Sequence, residues 1–101
     1  MKDIKKYILE ASTEAEDLQE EISLALKKFG SVRHGFKMVD IDDIIDAMYK
    51  IEFDYDEESS SGNKLVFVGN YINTKYEVDL YADDYVSGRF KIKNFNVFEE
   101  Q

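Results

Sequence analysis

The stretch DIDDIIDAMYKIEFDYDEE, residues 40–58, decides the fold, because the spacing of its apolar residues changes partway along. Ile41, Ile44, Ile45 and Met48 recur at intervals of three and four, which places them on one face of an α-helix. Asp40 stands where an N-cap is expected, and Asp43 lies three residues on. From Ile51 the period becomes two: Ile51, Phe53 and Tyr55 alternate with Glu52, Asp54 and Asp56, the pattern of a half-buried strand. The reading is a helix over 40–50 followed by a strand over 51–56.

Upstream of this switch the chain reads as helix. Ala15, Leu18, Ile22, Ala25, Leu26 and Phe29 form one stripe over 13–29. Thr13 and Glu16 have capping-box spacing, acids load the first turn, Lys27 and Lys28 load the last, and Gly30 stands where a left-handed cap is expected. Ile4, Ile8 and Ala11 continue the stripe backward as one long helix would. Thr13 reads as a fresh start, however, and Lys5-Lys6 opposes a helix N-terminus. Residues 3–11 are therefore read as a separate short helix, with a strand over 5–11 as the alternative. Residues 30–39, with Gly30, Ser31 and Gly35, read as a connector.

Downstream the period stays at two. Glu57 to Asn63 is a polar loop, and Lys64 to Val68 is the most apolar strand. Gly69-Asn70 and Asn73-Thr74 are turn or bulge candidates. A third strand spans 75–82, and a fourth spans 89–98 with a bulge where Asn94 shifts parity. Arg89, Lys91 and Lys93 are expected to face Glu77 and Asp79 across that last hairpin. Helices first and consecutive strands after predict one α+β domain over 1–101: two or three N-terminal helices packed on one face of a four-stranded antiparallel β-meander. The expected core is Leu18, Ile22, Ile44, Met48, Phe53, Val66, Val78, Leu80, Phe90 and Ile92.

Charge is as unevenly distributed as hydropathy. Residues 40–58 hold nine carboxylates against one lysine, a net of −8, while the whole 101-residue chain carries −9. On the helix Asp40, Asp43 and Asp46 are expected to share the outward face, with Asp42 offset. On the strand Glu52, Asp54 and Asp56 are expected to form a row at roughly 6.6 Å spacing. Regularly spaced carboxylates can imitate a nucleic-acid backbone, which carries about one charge per 1.7 Å of duplex axis; a solvated face that aids solubility is the plainer reading of the same run. A pI near 4.5 opposes direct binding of nucleic acid or anionic membrane and favours a basic protein partner. Tyr81, between Asp79 and Asp83, is a candidate anchor, since Tyr is favoured at interface hot spots. Leu24 is an apolar residue on the otherwise polar helix face.

Several chemistries lack their residues. No Cys is present, so there is no disulfide framework, thiolate nucleophile or zinc–thiolate site; this fits a cytoplasmic location. His34 is the only His, and no G-x-S-x-G motif accompanies it. Asp54-x-Asp56-x-Glu58 has the spacing of the start of an EF-hand loop, but Ser59 replaces its Gly and Leu65 its final Glu. No catalytic residue, cofactor or metal is expected. No signal-peptide pattern opens the chain, and the longest apolar run, Leu65–Val68, is far short of the ~20 residues that span a bilayer.

In composition the chain resembles small phage or mobile-element inhibitors, of the anti-defence kind, and toxin-immunity proteins, a likeness that assigns no residue and no target. The resulting expectation is a non-enzymatic, acidic interaction protein of nucleic-acid-mimic type. It would occlude the basic surface of a partner such as a nucleic-acid-binding enzyme through Asp40, Asp42, Asp43, Asp46, Glu52, Asp54, Asp56 and Tyr81. Two alternatives stand beside it. One is a small-molecule or nucleotide-binding module using the aromatic sheet face and the Arg33–Lys37 loop, with Lys27 and Lys28 nearby. The other is a subunit of a larger assembly.

Overall fold

The computed structural model describes residues 2–100, with side chains described from Glu14 to Glu100. Its elements are α1 (Lys2–Ala25), a 3-10 turn (Lys27–Phe29), β1 (Gly30–Ser31), β2 (Gly35–Phe36), β3 (Met38–Asp40), α2 (Ile41–Tyr49), β4 (Phe53–Tyr55), β5 (Lys64–Tyr71), β6 (Thr74–Val86) and β7 (Arg89–Glu99). The fold is α+β. Two α-helices lie against a curled antiparallel sheet of order β3-β7-β6-β5-β4, and β1 and β2 form a small separate hairpin. No helix among the described residues is long and apolar enough to cross a membrane.

The meander β4-β5-β6-β7 follows the period-two pattern, but the sheet has five strands rather than four. The fifth, β3, lies in the segment read as a connector. It pairs with the start of β7, Val39 opposite Phe90 and Asp40 opposite Arg89, and the Ile41 amide donates to the Gly88 carbonyl at 3.0 Å. Three residues are too few to show a period, so the strand exists because β7 offers an open edge.

The expectation of two helices between residues 3 and 29 also needs correction. The backbone is helical without a break through position 13, so no helix starts there; the side chains of the expected Thr13 cap and of Ile4, Ile8 and Ala11 lie outside the described residues. At the other end α1 stops at Ala25, and a tighter turn carries the chain to Gly30. There φ is +136°, and an added Cβ would collide with the Gly35 carbonyl and the Phe36 Cα across the β1–β2 hairpin.

The core lies between the helices and one face of the sheet. Leu18, Ile22 and Leu26 of α1 and Ile44, Ala47 and Met48 of α2 pack on Phe53, Leu65, Phe67, Tyr76, Val78, Leu80, Phe90 and Ile92. Strand alternation puts Phe67, Val78 and Val97 in one cross-strand row on that face, and Leu65, Leu80 and Phe95 in the next. All ten expected core residues are buried, but Val66 is buried on the opposite face of the sheet, outside this cluster. Tyr76 ties α1 to the sheet: its hydroxyl donates to Glu14 Oε1 at 2.6 Å. Burial, followed by that carboxylate, pushes the Tyr76 phenol far above its ordinary pKa.

The β5–β6 turn falls at Ile72-Asn73, one residue before the expected Asn73-Thr74 and overlapping it at Asn73, while Gly69-Asn70 stays within β5. Both residues have positive φ, +48° and +65°, as a two-residue type I′ hairpin requires. Ile is an unusual choice there, because a β-branched side chain crowds that backbone. Gly69 lies inside β5, where an added Cβ would come within 3.0 Å of the Phe53 ring.

Candidate functional site

The acidic window does not form one surface. In α2, Ile44, Ala47 and Met48 turn into the core, which leaves Asp42, Asp43 and Asp46 exposed on the side away from the sheet. Asp40 occupies the N-cap position but makes no capping hydrogen bond; its carboxylate sits 3.5 Å from Arg89 Nε. The expected row Glu52-Asp54-Asp56 is not made. Glu52 has φ +65° in the turn that ends α2, where its amide donates to the Tyr49 carbonyl at 2.9 Å. Asp54 alone is on β4 with its side chain outward, opposite Val68 and on the sheet face that carries no helix. Asp56 organises the following loop. Its carboxylate accepts from the Ser59 amide at 3.3 Å and its carbonyl from the Ser60 hydroxyl at 2.7 Å, while Ser60 Oγ accepts from the Val66 amide at 2.9 Å. The window thus divides between two sides of the molecule: Asp42, Asp43 and Asp46 on one, Asp54 on the other.

The second side contains residues the sequence reading assigned elsewhere. Because β6 runs to Val86 rather than ending at Ala82, the hairpin register moves. Arg89 lies opposite Val86 and Lys91 opposite Asp84, while Glu77 lies opposite Phe98 and Asp79 opposite Asn96. The expected ion pairs of Arg89, Lys91 and Lys93 with Glu77 and Asp79 are therefore absent. Arg89 pairs with Asp40, and Lys91 Nζ lies 3.4 Å from Asp83. The expected bulge is present: Lys93 and Asp83 are the extra residues around Ala82.

Glu77 and Asp79 consequently face each other with no base in register. Asp79 is 4% exposed, and its Oδ1 has no hydrogen-bond partner; Oδ2 accepts a long hydrogen bond, 3.4 Å, from the Tyr81 hydroxyl. The Glu77 carboxyl is raised above its ordinary value by its hydrogen bond to Asp79, then by burial and by the Asp79 charge; Lys64, on the neighbouring strand, opposes the shift. Glu77 thus keeps its proton to higher pH than an ordinary carboxyl and directs it at Asp79. The legible signal was the alternation Glu77-x-Asp79-x-Tyr81; the error lay in pairing it with the wrong half of β7.

The connector bases meet β7 at a depression of about 550 Å³ walled by Phe29, Val32, Phe36 and Ile92, with His34, Lys37, Lys91, Lys93 and Asp83 around it. Leu24 is 63% exposed beside a second depression, which Ala25, Ala47 and Ile51 also line. Compared with protein-family models, curated proteins and solved structures, the chain matches none.

Proposed function

We propose that this protein is a non-enzymatic, acidic interaction protein that binds and occludes a basic surface of a macromolecular partner, of the kind that grips nucleic acid. The observation that carries the reading is unpaired charge. Among the described residues three ion pairs form, Lys75–Glu100, Arg89–Asp40 and Lys91–Asp83. Only Asp40 of the nine acids in residues 40–58 takes part. Asp42, Asp43, Asp46, Glu52 and Asp54 are exposed without a countercharge, so their field extends into solvent and is available to steer a basic partner.

The test is the variant Asp43→Asn, Asp46→Asn, Glu52→Gln, Asp54→Asn, used as bait beside the parent chain against host lysate, with bound proteins identified by mass spectrometry. A basic protein retained by the parent and lost from the variant is the expected result, and its retention should fall with added salt. Equal retention by both baits would reduce these carboxylates to solubilising groups. Stability should not fall in the variant, because crowded like charges have been removed.

A second reading draws on the depression between the β1–β2 hairpin and β7. Its His34, Lys37 and Lys93 suit a small anionic ligand, and chemical-shift changes there on adding inorganic phosphate would support it.

A further inference from the structure

The sheet face turned away from both helices carries Lys75, Glu77, Asp79 and Tyr81 along β6, with Lys64 of β5 and Phe98 of β7 on either side; Asp79 among them is buried. We propose that this face, centred on Glu77 and Asp79, is where the protein receives an arginine side chain of its basic partner. The proposal rests on the partner-binding reading above and moves its anchor from the acidic window to the sheet.

Three features carry it. A carboxylate oxygen that is buried without a partner is costly and calls for a missing donor. Asp79 Oδ1 is such an atom once Glu77 has lost the proton it directs at Asp79. Next, the acceptors suit one organic cation: among the described residues no three Asp, Glu or His side chains converge as a metal requires. Finally, aromatic side chains flank the pair. Phe98, 45% exposed, lies directly opposite Glu77, and Tyr81 follows Asp79 on the same face. A guanidinium presents several donors in one plane and stacks on aromatic rings, which an ammonium does less well. Half-buried Glu77 is the member an incoming cation meets first. As the guanidinium binds, the Glu77 proton passes to solvent and both carboxylates become acceptors.

Binding is therefore linked to proton release and strengthens as pH rises through the raised Glu77 value. The other charged or titratable groups facing the pair are Asp54 from β4, Lys64 from β5, Lys75 and Tyr81 from β6 and Glu100 beyond β7, which pairs with Lys75; the β7 residues in register, Asn94, Asn96 and Phe98, carry no charge.

The experiment follows backbone amide shifts of the full chain while acetyl-arginine-amide, acetyl-lysine-amide or a hexa-arginine peptide is added at pH 5 and pH 7. Arginine is expected to move the amides of Glu77 to Tyr81 and of Asn96, more strongly at pH 7. Glu77→Gln is expected to weaken the response at least tenfold while keeping the dispersed spectrum of a folded chain. The fourfold acidic-window variant should keep the response at Glu77 to Tyr81, apart from any local change at Asp54. Shifts confined to Asp42–Asp46 would overturn the sheet-face site and leave the acidic-surface reading standing. No shifts with any probe, hexa-arginine included, would overturn both. An equal response to the lysine amide would overturn the choice of arginine.

Discussion

Leu80→Ala should lower stability by about 2–5 kcal/mol, the cost of emptying a large site in a packed core. Leu80 is fully buried on β6, the central strand, between Leu65 of β5 and Phe95 of β7. Truncation removes the apolar contacts to both neighbours, and flanking strands held by backbone hydrogen bonds cannot close over the space. Net stabilities of single domains run to roughly 5–15 kcal/mol, so the variant should lose a large share of its margin. Urea unfolding followed by circular dichroism would measure this, with the slope unchanged and the midpoint shifted. A loss below about 0.5 kcal/mol, typical of surface positions, would place Leu80 at the surface and reverse the assignment of sheet faces.

Glu77→Gln should stabilise the protein at pH 7, on the order of 1 kcal/mol, because the amide donates permanently to Asp79 where the acid must hold a proton. The pH dependence follows from the direction of the shift. The Glu77 carboxyl titrates above its ordinary value near 4.5 in the folded chain. Between the ordinary and the raised value the native state holds more protons than the unfolded state, so parental stability falls as pH rises through that window. The variant lacks this titration. The stability gap between the two chains should therefore be largest at pH 7 and shrink toward pH 5. Glu20→Gln, which removes one exposed charge from α1, serves as the control for net charge. A Gln variant less stable than its parent at pH 7, or a gap that does not change with pH, would show that Glu77 directs no proton at Asp79.

Periodicity made much of the fold legible. The switch from 3.6 to 2 after Tyr49 marks the boundary between α2 and β4 closely, and the buried faces of β5 to β7 follow alternation. Periodicity fails where a strand changes parity. Asp83 is a bulged residue, so the side chains after it fall out of phase with Val78 and Leu80, and Asp83-Asp84-Tyr85-Val86 reads as a turn although β6 continues through it. That misreading hid the Glu77–Asp79 pair, because it supplied both acids with basic partners they do not have. β3 was invisible for a different reason: Met38, Val39 and Asp40 become a strand through Phe90 and Arg89, fifty residues away, and no local pattern encodes such a partner. Of the expected binding residues, exposure and charge were legible at Asp42, Asp43, Asp46 and Asp54. Their division between opposite sides of the molecule was not, because it depends on which face of the sheet α2 covers.

The seam between β3 and β7 also divides the sheet by the sequence distance its pairings close. β4 to β7 are joined to their neighbours by local connections, two of them tight turns, and can zip together at small entropic cost. With no proline in the chain, no slow isomerisation interrupts them. β3 pairs with β7 alone, and that pairing closes the long loop that holds α2 and the rest of the sheet. The Ile41 amide bonded to Gly88 should therefore exchange with solvent faster than the Leu80 amide; equal protection would mean that the seam opens only together with the meander. The sheet is a locally connected ribbon with one distant fastening, and that fastening lies beside the start of the helix that carries Asp42, Asp43 and Asp46.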